Sequence, residues 1–246
     1  MPSGKRSRET RRAAAAPPPV RKKGAGRKAS PVVLAVVLTR GSSSSSSSAP
    51  PSALPEAAAV NAVFNGIPQS GTTLGSPKAP VTMQEFIDLQ CPFCDQFERG
   101  PFPSIVKRYV RPGKLKVQMK PLAFIGPDSV TGQHAVLAAG HQNRAFNYAA
   151  QLYQNQGTEN TGWLNDNMVR AAAASIPGVN VDQLLSDMSS DAVKSDAQGV
   201  DQAGSSVKST PTILVGRSGG PLHLVAMSSP TDTATLAAAI NSALNS

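Results

Sequence analysis

Apolar and polar positions alternate most cleanly over residues 81–90, VTMQEFIDLQ. Val81, Met83, Glu85, Ile87 and Leu89 fall on one face of a strand, so one carboxylate shares that face with four apolar side chains. The run ends in Cys91-Pro92-Phe93-Cys94-Asp95-Gln96-Phe97, a helix start with Pro in the first turn, where its missing N–H costs little. Gly100-Pro101 should interrupt this helix, residues 105–110 resume it, and Pro112-Gly113 ends it. Lys114 to Lys120 alternate again, with Leu115, Val117 and Met119 inward and a stop at Pro121. The order strand, helix, strand makes a βαβ unit with a cysteine pair at its first strand-to-helix junction.

Residues 128–205 lose the strand period and predict an all-helical block. Asp128 is a candidate cap for a first helix running to Gly157. WLNDNMVRAAAASI predicts a second and VDQLLSDMSSDAVKSDAQGV a third. Thr212 to Gly216 returns to strand, residues 217–221 turn, and Leu222 to Ala226 form the hairpin partner. Ser229 or Thr231 caps a final helix with Leu236, Ile240 and Leu244 on one face.

The N-terminal region has a different character. Residues 1–40 hold eleven Lys or Arg and one acid, so the net charge of +9 belongs to the tail; residues 41–246 balance at thirteen bases and fourteen acids. The domain expected over 57–246 therefore offers no basic surface for nucleic acid. Residues 1–30 form a basic tail and 31–39 a short apolar segment. That segment is too short to span a bilayer as a helix, which takes about 20 residues, and long enough for the core of an export signal. Basic region, apolar run and Ser-rich stretch together give the layout of an export signal or a signal anchor, and the short run leaves cleavage open. Residues 40–56, rich in Ser, Pro and Ala, are a tether with no core of their own.

Cys91 and Cys94 are the only cysteines. A structural disulfide between them closes a tiny loop and adds little stability. A zinc site needs about four ligands, and only His134, His141 and His223 could complete it, so no metal is expected. Reversible dithiol chemistry suits the position better. Unpaired N–H groups at a helix start favour a thiolate at Cys91, and Cys94, one turn in, is placed to resolve a mixed disulfide. Glu85, as a carboxyl in apolar surroundings, is a candidate proton relay for Cys94. Asp88 falls on the opposite strand face and is expected to be solvated.

EFIDLQCPFC at the junction, Thr210-Pro211-Thr212 before a late strand, and a helical block between βαβ and ββα halves together resemble the DsbA-like branch of the thioredoxin superfamily. The resemblance covers about residues 70–246. It implies an α/β thioredoxin fold with a central mixed sheet and a helical insertion at about 127–205. Cys91 matches the attacking cysteine, Cys94 the resolving one, and Glu85 the family's buried acid. Pro92 and Phe93 match the pair that tunes redox potential. Phe93 replaces the His of the strongly oxidising archetype and cannot donate that residue's hydrogen bonds, which argues against a very oxidising potential. Pro211 matches the cis-proline beside the thiols, and Thr210 the residue whose backbone pairs with substrate.

The function implied is an extracytoplasmic thiol:disulfide oxidoreductase that oxidises exported proteins, tethered to the membrane by its N-terminus or secreted after cleavage. It needs no cofactor beyond its own disulfide, and a quinone-linked membrane protein reoxidises it. A reductase or isomerase using the same site, and a non-enzymatic tethered binding module, are the alternatives.

Overall fold

The computed structural model describes residues 52–246. The basic tail, the apolar segment and most of the tether lie outside the described residues. Among the described residues, no helix is long and apolar enough to cross a membrane.

The chain enters through Leu54, whose N–H donates to Ser175 Oγ at 2.7 Å, and through helix α1 (Ala57–Ala62). The last residues assigned to the tether are thus already bound to the body. Two short strands follow, β1 (Gln69–Ser70) and β2 (Thr73–Leu74), which the sequence pattern did not suggest because two residues carry no period. Strand β3 (Val81–Ile87) leads into α2 (Pro92–Arg99), α3 (Pro101–Ile105) and a π-helical turn (Val106–Val110). Gly100-Pro101 separates α2 from α3, as expected.

Strand β4 (Leu115–Pro121) runs parallel to β3, and Pro121, expected as its stop, is its last residue. After the helical block come β5 (Thr212–Arg217), β6 (His223–Leu224) and α9 (Thr233–Asn245). The six strands form one mixed sheet in the order β1-β2-β4-β3-β5-β6. Strand β3 is central, parallel to β4 and antiparallel to β5, and residues on both its faces are buried. Its alternation is therefore sharper in sequence than in burial: Phe86 and Thr82 are buried beside Val81, Met83 and Ile87.

The helical block holds five helices where three were expected: α4 (Pro127–His141), α5 (Ala145–Gln154), α6 (Asp166–Ala174), α7 (Val181–Met188) and α8 (Asp191–Ala203). The first expected helix breaks at Asn143, which takes the left-handed conformation at φ +57° that Asn tolerates. The third breaks where the Ser190 side chain accepts from Val193 N–H, capping α8. Asp128 sits inside the first turn of α4, where it accepts from Gly162 N–H at 2.8 Å, and does not cap it. The cap of α9 is Asp232, which accepts from Thr235 N–H at 3.1 Å and from Ser228 N–H, and not Ser229 or Thr231.

The helical block meets the sheet at the end of β3. Helix α4 crosses there so closely that a Cβ on Gly132 would lie 2.8 Å from Leu89 Cβ. Asp88, expected to be solvated, is buried and ties the two parts together. Its Oδ1 accepts from Gln90 N–H and Ser129 Oγ–H at 2.8 and 2.9 Å. Its Oδ2 accepts from Phe124 N–H and Ile125 N–H, also at 2.8 and 2.9 Å. Four donors replace the water that a buried carboxylate gives up.

Asp88→Ala would leave those donors unpaired in the interior. It is expected to lower stability by about 3 kcal/mol, read as a shift in the urea midpoint at unchanged slope. A loss under about 1 kcal/mol would mean that the carboxylate is not the anchor of this junction.

Candidate functional site

Cys91 is the N-cap residue of α2, extended at φ −71° and ψ 119°, and its carbonyl accepts from Asp95 N–H to begin the helix. Pro92 at the first helical position needs no partner for a missing N–H. The carbonyls of the approach to Cys91 are held from the helical block. Tyr153 Oη donates to Asp88 O at 3.0 Å, and Gln156 Nε2 donates to Leu89 O and Cys91 O at 2.9 and 3.2 Å. Gln90, also buried, donates to Ser129 Oγ and Asn160 Oδ1 and accepts from Asn160 N–H. The turn carrying the first thiol is thus bonded on its inner side by three separate segments.

Both thiols are free. Cys91 is 5% exposed, whereas Cys94 is fully enclosed. The Cys91 thiol donates to the Thr210 carbonyl at 3.3 Å, and the Thr210–Pro211 peptide bond is cis. The two thiols, Thr210 and Pro211 therefore gather at one place, although more than a hundred residues separate them in sequence.

The Cys91 pKa is lowered from 9.0 to about 6. The largest cause is a hydrogen bond with the Cys94 side chain; burial opposes it, and the Thr210 side chain and the backbone N–H groups of Cys94 and Phe93 add to the lowering. Backbone groups at the helix start, expected to dominate, are secondary to the neighbouring thiol. At pH 7 a pKa of about 6 leaves roughly nine-tenths of Cys91 as thiolate, the nucleophilic form. Cys94 moves the other way: burial, and then its bond and charge interaction with Cys91, push its pKa well up. One sulfur is ionised and one keeps its proton, which is the polarity that exchange requires.

Phe93 is 55% exposed and Pro92 is exposed beside it. Phe97 and Phe102 are buried, 5.9 Å apart between ring centres, and so belong to the core. Phe93, Thr210, Pro211, Ile213, Leu224 and Met227 line an open groove of about 440 Å³ next to Cys91.

Glu85 lies in the middle of β3, between Met119 on β4 and Ile213 on β5. It is fully buried, neither carboxylate oxygen has a partner, and burial pushes its pKa up from 4.5 to about 8. A second buried acid, Glu98 on α2, was not singled out from the sequence. Its pKa is also pushed well up, first by burial, then by Glu85 and Asp95. A signal was present: Glu98 follows Cys94 by four residues, which puts both on one helix face. His141, weighed as a metal ligand, instead pairs with Asp196 at 2.7 Å.

The raised carboxyls set a pH dependence. In the unfolded chain Glu85 loses its proton near 4.5, while in the fold it holds it to about 8. Between these values the folded state binds more protons, so stability falls as pH rises. In the oxidised protein, where Cys91 cannot titrate, unfolding free energy should decline from about pH 5 to pH 8. Glu85→Gln should reduce the slope, and Glu85→Gln with Glu98→Gln should remove it. An unchanged slope in urea titrations of both variants would refute the assignment.

With the geometry described, the comparisons with known proteins can be stated. A family model described as thioredoxin matches residues 69–221. A probable disulfide bond formation protein D of Bacillus cereus is 29% identical over 125 residues, covering 50% of this chain and 58% of the relative. Disulfide bond formation protein D of Bacillus subtilis is 25% identical over 149 residues, 58% of this chain and 66% of the relative. The match to the first of these relatives thus spans little more than half its length. Among solved structures, oxidised BdbD from Bacillus subtilis superposes with a TM-score of 0.63 at 21% identity, covering 73% of this chain and 97% of that one. DsbA from Chlamydia trachomatis gives 0.57 at 21%, covering 70% and 90%. With a matching family model across most of the described domain, the chain belongs to the thioredoxin family, and it shares its fold with these DsbA-type structures.

Proposed function

We propose that this protein is an extracytoplasmic thiol:disulfide oxidoreductase that oxidises cysteines of exported proteins through Cys91 and Cys94. The observation that carries this reading is the split between the two thiols: Cys91 keeps a small exposed area and has a lowered pKa, and Cys94 is fully enclosed with a raised one. The relatives named for disulfide bond formation support the same chemistry.

In the oxidised protein a substrate thiolate attacks Cys91 Sγ. A substrate–Cys91 disulfide forms, the Cys91–Cys94 bond breaks, and Cys94 leaves with the electron pair and takes a proton from Glu85. A second substrate thiolate then attacks the substrate sulfur, and Cys91 leaves as a thiolate. The substrate has lost two electrons and the protein holds them as a dithiol. The low pKa of Cys91 makes it a good leaving group in this second step.

The groove beside Cys91 supports a peptide substrate. Ionisation of Cys91 ends its bond to the Thr210 carbonyl, which leaves that carbonyl open to the N–H of an extended peptide, a form of strand addition. Phe93, Leu224 and Met227 offer apolar contact to the side chains that flank a substrate cysteine. Return of the protein to the disulfide form falls to an oxidising membrane partner. The basic and apolar N-terminal segments, which fit an export signal or an anchor, would deliver the domain outside the cytoplasm, with membrane attachment by that N-terminus if they are retained.

Cys91→Ser should abolish oxidation of a reduced, unfolded test protein. Cys94→Ser should keep the attacking thiol and accumulate mixed disulfides visible on non-reducing gels. Transfer at the wild-type rate by Cys91→Ser would reject the mechanism.

A Cys91 pKa of about 6 lies between the values of roughly 3.5 for DsbA and 7 for thioredoxin. The reduction potential is accordingly expected between about −270 and −120 mV, measured by equilibration with glutathione. A value at the thioredoxin end would favour the reductive reading of the same site.

A further inference from the structure

The groove beside Cys91 has a neighbour that thiol exchange, as just described, does not use. Strand β5 starts at the thiol end, with Thr212 next to Pro211, and runs away from it to Arg217; β6 returns antiparallel beside it at the edge of the sheet. The groove already described lies along the near half of this hairpin. A second open groove, of about 550 Å³, lies along the far half, between the hairpin and the last turns of α9. Val215, Pro221, Leu224, Val225, Ala239 and Ala243 give it an apolar lining.

Two residues, Leu224 and Val225, line both grooves, so the two are successive parts of one trough along β6. Leu224 stands at the junction with its side chain 66% exposed. Val225 N–H donates inward to Ile213 O at 2.9 Å, which turns the peptide groups of the alternate residue, Leu224, toward the open edge of the sheet. A chain passing this point meets an apolar side chain together with a backbone donor and acceptor. Arg217 is the only Lys, Arg, Asp or Glu that lines either groove, so apolar fit outweighs charge in what the trough selects.

We propose that the far groove is a second substrate subsite, which takes an apolar side chain of the same extended polypeptide whose cysteine reacts at Cys91. The inference deepens the function proposed above and rests on it. The occupant follows from position, because the trough begins where the substrate chain is captured. Its reach sets the spacing. From Thr212 to Arg217 the hairpin extends five steps of about 3.4 Å, so the side chain that enters lies about five or six residues from the reacting cysteine. The protein would thus prefer cysteines that have a Leu, Ile or Val at that distance in an unfolded segment.

Single turnovers of the oxidised full-length protein test this with two reduced peptides. One is a short segment holding a cysteine pair; the other adds an uncharged extension with leucine at the sixth position from the cysteine. The longer peptide should half-saturate the protein at a concentration about tenfold lower. Ala243→Phe and Ser242→Trp, which fill the far groove from α9, should each abolish that advantage and leave the short peptide oxidised at the parent rate. Equal half-saturation of the wild-type protein by both peptides overturns the proposal, as does an advantage that survives both substitutions. A dimer that Ala243→Phe dissolves, with the advantage of the long peptide intact, would assign the groove to a second copy of the chain instead. If neither peptide is oxidised, the proposed function fails. The subsite is then read by titrating a labelled serine version of the long peptide onto parent and Ala243→Phe proteins, where equal binding overturns it.

Discussion

A strand buried on both faces has to end without leaving its backbone unpaired, and the whole site is built on how β3 meets that requirement. Beyond Ile87 the sheet ladder stops, yet the chain remains in the interior as far as Cys91. Its carbonyls are taken up by Tyr153 and Gln156, and the Asp88 carboxylate collects the N–H groups of the loop that opens α4. Because unpaired polar groups are costly in such a place, the turn has little freedom, and Cys91 is held where Thr210 can meet it. The helical insertion is thereby part of the thiol site as well as its cover.

The same enclosure produces the chemistry. Cys94 is denied water and keeps its proton; that proton, directed at Cys91, does more than the helix start to stabilise the thiolate. In the sheet, Met119 and Ile213 stand on either side of Glu85, whose carboxylate oxygens have no partner among the described residues. Burial thus opposes charge on the two carboxyls and on Cys94, while Cys91, joined to a donor, keeps its charge. A single physical term, desolvation, sorts the groups into those that store protons and the one that attacks.

Much of this was legible in the sequence where a period or a spacing was long enough to register. Strands β3, β4 and β5 and the cysteine junction follow from alternation and from Pro92 at the helix start. The two-residue strands β1 and β2 are set by pairing, which alternation cannot report; the hairpin partner expected over Leu222 to Ala226 is present as β6 but pairs only at His223–Leu224. Asp88 was misjudged because strand alternation assigns a face and says nothing of what covers it; α4 and the loop before it turn that face into interior. The helix breaks at Asn143 and Ser190 were hidden inside sequence with good helical composition, where one left-handed residue or one cap decides the boundary. Glu98 was missed because its significance lies in a neighbour on another element, although its spacing from Cys94 was in plain view.

The sheet ends on both sides in strands of two residues, β1 and β6. So brief an edge cannot template a long ladder with a foreign chain, which under the proposed function guards the protein against being drawn into aggregates of its unfolded substrates. It also bounds how firmly a client can be gripped. Under the same proposal, few backbone bonds are on offer beside Thr210, so the covalent link through sulfur would be the principal hold on a substrate between capture and release.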